Sequence, residues 1–172
     1  KDAIAYAPTD DWSANLVRVT YSQLYYTESK NDFIVDANGT HNYSRYGAWA
    51  GSPYGAWNAA FVKFCLNFAQ VKPEYLPYDS NFVDWAKKLD DRGLLFTDSY
   101  APAAGDLVFF ENSKGDPCRV GIVTGADANS IMTVQGDCDG KVAARSYELT
   151  DKDAHSGRYS LHRKGMDYYN GA

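Results

Sequence analysis

The first half of the chain carries apolar residues at helical spacing. The stretch TDDWSANLVRVTYSQLYY places Trp12, Leu16 and Val19 on one side of a predicted helix of three to five turns. Residues 57–71 carry apolar side chains on two stripes, which predicts a helix that is buried on most sides. The sequence NFVDWAKKLDDRGLL predicts a third helix, and Gly93 is its expected C-terminal cap.

After residue 102 the pattern changes from helical spacing to short strand-like runs. The predicted strands are 106–111, 120–124, 131–135, 142–147 and 157–162. Between the first two helices, residues 31–53 are dense in Gly, Asn, Asp and Ser, which predicts a long loop of the kind that frames binding clefts. Helices followed by strands predict an α+β fold, with N-terminal helices packed on a C-terminal antiparallel sheet.

Length, charge and cysteine spacing narrow the function classes. We expect one domain over residues 1–172, which is long enough to bury its own core. The formal net charge is −5 and there is no basic run, so nucleic acid is not an expected partner. No apolar run approaches the roughly 20 residues that span a bilayer, so we expect no membrane insertion. The spacing of three cysteines and three histidines suits no zinc site, and we expect a monomer without metal or cofactor.

Three segments follow one another in the order and separation of a known family. They read YGAWNAAFVKFCLNFAQV, PAAGDLVFF and RVGIVTGADANSIMTVQGD. From about Tyr26 to about Tyr147 the chain resembles the CHAP domains, the cysteine- and histidine-dependent amidohydrolases/peptidases. The resemblance implies a papain-like α+β fold related to the NlpC-type cell-wall peptidases. It also implies a bacterial protein at the cell surface or outside the cell, and we expect this domain to belong to a longer secreted chain.

The resemblance places different residues where the family carries its catalytic groups. In the family motif W-C-A-x-F the cysteine at a helix start is the nucleophile, and here Asn58 stands at that position. The histidine of H-V-G-I-V is replaced by Arg119, and the motif E-G-N begins at Gln135 and ends at Asp137. An amide forms no thiolate and a guanidinium is no base at neutral pH. We therefore expect an inactive relative of these enzymes, with an ion pair between Arg119 and Asp137 near Asn58.

The cysteines have more than one interpretation. Cys65 lies on the buried stripe of the second helix, which predicts a core residue. Cys118 and Cys138 flank the predicted hairpin, so a disulfide between them is the favoured interpretation and two free thiols are the alternative. A relocated nucleophilic thiol at either position is a further alternative.

Four aromatic residues are candidates for a binding cleft. Tyr46, Trp49, Tyr54 and Trp57 flank the substituted position 58 along the chain. Such rings stack on sugars or anchor protein partners, although core packing is the competing interpretation.

Three functions remain as hypotheses. The first is a non-catalytic binding module for a peptidoglycan peptide or glycan, or for a host glycoprotein. The second is a divergent cell-wall amidase or endopeptidase that uses a relocated cysteine. The third is a structural spacer. Because the machinery is changed at several positions at once, the first hypothesis is favoured over an enzyme.

Overall fold

The computed structural model describes residues 11–96, 100–112, 114–148 and, for the backbone, 160–164. Four helices lie in this part: α1 (Trp12–Ser22), α2 (Arg45–Trp49), α3 (Asn58–Phe68) and α4 (Phe82–Asp91). Helices α1, α3 and α4 confirm the three that the apolar spacing predicts. Side chains cap two of them, because Asp11 accepts from the N–H of Ala14 and Asn81 accepts from the N–H of Asp84.

Seven strands in the described residues form two antiparallel sheets. A separate hairpin joins β1 (Phe33–Asp36) to β2 (Gly39–Asn42). The main sheet contains β3 (Leu107–Glu111), β4 (Pro117–Ala126), β5 (Ser130–Gln135), β6 (Ala143–Glu148) and β7 (Ser160–Lys164). Its strand order is β6-β5-β4-β3-β7, and each described neighbour pair is antiparallel. The five predicted strands are confirmed, with bounds that shift by a few residues. Residues 157–159 of the fifth predicted strand lie outside the described part of the chain.

The N-terminal helices pack on one face of this C-terminal sheet, as the α+β prediction required. The core between the two layers joins Leu16 of α1, Phe61 of α3 and Trp85 of α4 to Phe109 and Ile122 of the sheet. The opposite face of the sheet carries a second buried cluster, formed by Val108, Phe110, Val123 and Ile131 with Tyr147 against it. In the described part of the chain no helix has the length and apolar character to cross a membrane.

The prediction of a long loop over residues 31–53 is wrong. That segment folds into the β1–β2 hairpin and then α2. Ala37 and Asn38 form the turn between the paired residues Asp36 and Gly39, and Gly39 adopts a φ of 120° that favours glycine. The side chain of Ser44 caps α2 by accepting from the N–H of Gly47.

Candidate functional site

The substituted positions meet where the start of α3 contacts the ends of β4 and β5. Asn58 is the first residue of α3 and is 6% exposed. Its Nδ2 donates to the carbonyl oxygens of Val120 at 3.0 Å and Gly136 at 2.9 Å, and its Oδ1 accepts from the N–H of Val120 at 2.9 Å. The paired ladder of β4 and β5 begins further along, at Ile122 and Val134. The side-chain amide of Asn58 therefore links β4 and the end of β5 by hydrogen bonds of the kind that a backbone peptide group would make.

Glycine is required at one strand end for this arrangement. A Cβ placed on Gly136 would overlap the side chain of Phe61 on the next turn of α3. The absence of a side chain at position 136 lets the helix approach β5 closely enough for Asn58 to reach both strands.

Arg119 lies on β4, and its guanidinium contacts the loop of residues 135–138 at the end of β5. Its Nε donates to Oε1 of Gln135 at 2.7 Å, and its Nη2 lies 2.7 Å from the carbonyl oxygen of Gly136 and 3.1 Å from that of Asp137. The Sγ of Cys138 lies 3.0 Å from the same Nη2. The hairpin register thus brings Arg119 beside Gln135 and Gly136, as the sequence predicts.

Gln135 extends this network across the sheet. The residue is 1% exposed, and its Nε2 donates to Oγ1 of Thr133 and to the hydroxyl of Tyr147, both at 2.9 Å. A buried amide whose donor and acceptor are both bonded is held in one orientation. The chain of contacts from Arg119 to Tyr147 is consequently a structural network on the sheet face opposite the helices.

Asp137 does not form the predicted ion pair with Arg119. Its Oδ2 accepts from the backbone N–H of Trp57 at 2.9 Å, and Arg119 binds only its carbonyl oxygen in the described contacts. The physical reason is the helix start, where an unsatisfied N–H attracts a carboxylate. Burial raises the pKa of Asp137 and outweighs the lowering by that hydrogen bond.

A further carboxylate at this position was not predicted. Oε2 of Glu28 accepts from Nε1 of Trp57 at 3.1 Å, and its Oε1 accepts from Nδ2 of Asn42 at 2.9 Å. Glu28 is distant in sequence from both partners, and no local motif marks it. In the described part of the chain, no three His, Cys, Asp or Glu residues are grouped as a metal site requires.

Two of the four predicted cleft aromatics lie in the core. Tyr46 and Trp57 are 0% and 1% exposed, and their rings stack at 5.2 Å between centroids. Their assignment to a binding surface is therefore wrong, because packing between α2 and α3 buries both rings. Trp49 remains 40% exposed and packs edge-on against Phe64. Tyr54 is half-buried, with its hydroxyl donating to Asp32 at 2.9 Å.

All three cysteines are free thiols, so the predicted disulfide between Cys118 and Cys138 is absent. The thiol of Cys118 lies against the carbonyl oxygen of Phe110 on β3, at a register shift of β4. Cys138 lies beyond β5 on the other side of β4, against Arg119. Burial raises the pKa of Cys118, and it also raises the pKa of Cys65, which is a core residue as predicted.

The chain matches no known protein-family profile and no curated protein sequence. Two solved structures are similar to it in fold. Ly7917 is 12% identical with a TM-score of 0.47, over 93% of this chain and 63% of Ly7917, so the chain spans less than two thirds of that protein. An N-acetylmuramoyl-L-alanine amidase from Bacteroides uniformis is 10% identical with a TM-score of 0.44, over 90% of this chain and 98% of the amidase. At these identities the similarity concerns the fold alone.

Proposed function

We propose that this domain is a catalytically inactive, CHAP-like binding module that acts at the bacterial cell surface. The observation that carries the proposal is the bonding of Asn58. Its amide is held by Val120 and Gly136 at the helix start, where the resembled family has its nucleophile. An amide in this position supplies no thiolate and forms no thioester.

Arg119 supports the same proposal from the neighbouring strand. Its guanidinium donates to Gln135 and to the loop carbonyls, and a guanidinium offers only donors and no acceptor for a proton. It therefore stabilises the loop and accepts no proton from a nucleophile. A hydrolase built on Cys118 is disfavoured, because burial raises the pKa of that thiol and reduces its thiolate fraction.

The proposed ligand is a peptidoglycan peptide or glycan, and this choice rests on the sequence resemblance to cell-wall hydrolases. Trp49 is the predicted cleft aromatic with the largest exposed fraction, at 40%. The Trp49 indole is held by its packing against the Phe64 ring, and its exposed surface can contact a sugar ring or an apolar peptide side chain. We therefore assign Trp49 to the ligand-binding surface.

Peptidoglycan digestion tests the absence of catalysis. Purified peptidoglycan is incubated with the natural protein and with the triple variant Asn58→Cys, Arg119→His and Gln135→Glu, and released fragments are identified by mass spectrometry. We expect no fragments from the natural protein. Cleavage by a triple variant that folds, as judged by circular dichroism, would show that the surrounding surface accepts substrate. Fragments released by the natural protein would overturn the proposal.

Cosedimentation with insoluble peptidoglycan tests the binding role separately. We expect the natural protein to sediment with it and Trp49→Ala to remain largely in solution. Tyr21→Ala is the matched control, because Tyr21 is an aromatic residue of similar exposure, 45%, on α1. A natural protein that does not sediment would refute the proposed ligand, and equal losses in both variants would refute the assignment of Trp49.

A further inference from the structure

Asn38 differs from the other described asparagines in the residue that follows it. It lies in the exposed turn of the β1–β2 hairpin and precedes Gly39. In the described hydrogen bonds its side-chain amide has no partner, and only its backbone N–H takes part, donating to Oδ1 of Asp36 at 2.7 Å. We propose that Asn38 is a covalent modification site, at which the side-chain amide is lost spontaneously as ammonia and a carboxylate replaces it. This site is separate from the Asn58 position, so the inference does not depend on the proposed function.

The reaction needs water and the groups that are present at this turn. The backbone nitrogen of Gly39 attacks Cγ of Asn38, the Cγ–Nδ2 bond breaks, and the Gly39 proton departs with the amide nitrogen as ammonia while a succinimide ring closes. Water then opens the ring at one of its carbonyl carbons. Opening at Cγ yields aspartate, and opening at the main-chain carbonyl carbon yields isoaspartate, whose main chain runs through the former side chain. Either product adds a negative charge two residues from Asp36.

Glycine at position 39 favours this attack. The side chain of a residue hinders the approach of its own backbone nitrogen to the preceding amide carbon, and glycine has no Cβ to obstruct it. A Cβ built at position 39 would meet no atom within 4 Å, so the space around the reacting groups is open. Gly39 pairs with Asp36 across the turn, and its N–H must be free of that pairing to react.

The hairpin has the features of an element that opens locally. Strands β1 and β2 form a two-stranded sheet of their own, and residues 31–40 are all exposed. A two-stranded hairpin is marginally stable by itself, and exposed elements of this kind open at a low cost in free energy. We therefore expect Asn38 to react in the folded protein, without unfolding of the whole domain.

Asn129 is a matched internal control. It is exposed in the β4–β5 turn, and its backbone N–H donates to Oδ1 of Asp127 at 2.8 Å, as that of Asn38 does to Asp36. It differs in the residue that follows it, Ser130, and in the five-stranded sheet to which its turn belongs. A difference in rate between the two asparagines therefore reports the glycine and the separate hairpin.

Incubation of the folded protein in heavy-oxygen water at neutral pH, followed by tryptic digestion in ordinary water and tandem mass spectrometry, tests the proposal. Heavy oxygen enters each residue whose ring opens during the incubation. We expect Asn38 to convert at least about tenfold faster than Asn129, with isoaspartate among the products. Asn42 lies in the same tryptic peptide and donates Nδ2 to Glu28 at 2.9 Å, so it should remain intact. Asn170 also precedes a glycine, but it lies outside the described residues and its peptide is read separately.

A synthetic peptide of residues 31–45 supplies the rate without the fold. We expect Asn38 in the folded protein to convert within about tenfold of the rate in this peptide, because local opening of the hairpin is frequent. A folded protein in which Asn38 converts more slowly than that, or stays intact, overturns the proposal, because the hairpin then protects the Gly39 N–H. Equal rates at Asn38 and Asn129 overturn it as well, because neither the glycine nor the separate hairpin then matters.

Discussion

The junction of α3 with the end of β5 and the β1–β2 hairpin differ in where their polar and apolar side chains lie. At the start of α3 and at the adjoining end of β5 polar side chains are buried, with Asn58 and Gln135 at 6% and 1% exposure, and both amides are hydrogen-bonded. On the hairpin, apolar side chains are exposed, with Val35 at 68%. The comparison shows that the burial of a side chain depends on the hydrogen-bond partners and packing layers around it, and not on its polarity alone. A polar group enters the interior when backbone groups receive it, and apolar groups remain outside where no layer covers them.

The largest expected effect on the stability of the fold is that of a substitution at Asn58. Asn58→Leu leaves the N–H and C=O of Val120 and the C=O of Gly136 without the amide that bonds them, and we expect a loss of about 3 kcal/mol in the free energy of unfolding. Urea unfolding measures this. The control is Asn38→Ala, an exposed asparagine at the hairpin turn, for which we expect a change of at most about 0.5 kcal/mol. An Asn58→Leu variant with the same free energy of unfolding as the natural protein would show that the Asn58 amide does not contribute to stability.

The second effect is at Arg119. Arg119→Met removes the donor to the buried Oε1 of Gln135 and the contacts to two loop carbonyls, so we expect a loss of about 2 kcal/mol. Arg119→Lys keeps the charge but lacks the planar fork, and it should recover only a small part of this loss. Thermal unfolding followed by circular dichroism compares the three proteins. Full recovery by lysine would mean that charge, and not geometry, is what Arg119 supplies.

The third effect depends on pH and concerns Asp137. Its pKa is raised in the folded protein by burial, so the ionised carboxylate costs stability at neutral pH, and this cost disappears as the pH falls below the ordinary aspartate value. Asparagine at this position still accepts from the N–H of Trp57 and tolerates the φ of 56°. Asp137→Asn should therefore melt at a higher temperature than the natural protein at pH 7, and the difference should narrow on acidification. A difference that widens at low pH would contradict the raised pKa.

The smallest effect is expected on the hairpin. Ile34→Thr replaces an exposed apolar side chain by a polar one of similar strand preference, so the free energy of unfolding should change by at most about 0.5 kcal/mol. Urea unfolding at low protein concentration measures this. A loss comparable with that of Asn58→Leu would mean that the hairpin side chains pack as core residues and that the comparison drawn above does not hold.

Local patterns are sufficient to predict α1, α3, α4 and the main sheet, but not α2. The two apolar stripes of α3 correspond to a helix enclosed by other elements, and its buried residues include Phe61, Val62 and Cys65. The short runs after residue 102 became strands because their apolar residues cover both faces of the sheet. The β4–β5 pairing could also be predicted, since a turn at Asp127 fixes Arg119 beside Gln135.

Side-chain direction and long-range contacts were less predictable. The hairpin register alone brings Cys118 and Cys138 close, but a register shift in β4, which the sequence does not reveal, turns Cys118 toward β3. The β1–β2 hairpin lies where a loop is predicted, although the Asn38-Gly39 dipeptide between strand-like residues is a known hairpin signal. The capping of α3 by Asp137 needed the three-dimensional structure, because Trp57 and Asp137 are 80 residues apart in the sequence.

That separation has a consequence for the order of folding. The bonds of Asn58 join residues 62 and 78 positions apart, and Val120 and Gly136 are correctly placed only once the β4–β5 hairpin exists. Closing so long a loop is entropically costly, so local hairpins are expected to form before the start of α3 docks on them. The hydrogen bonds of the Asn58 amide are then not yet formed in the folding transition state. Its loss should speed unfolding and leave the folding rate nearly unchanged, so this side chain determines how long the domain persists once formed.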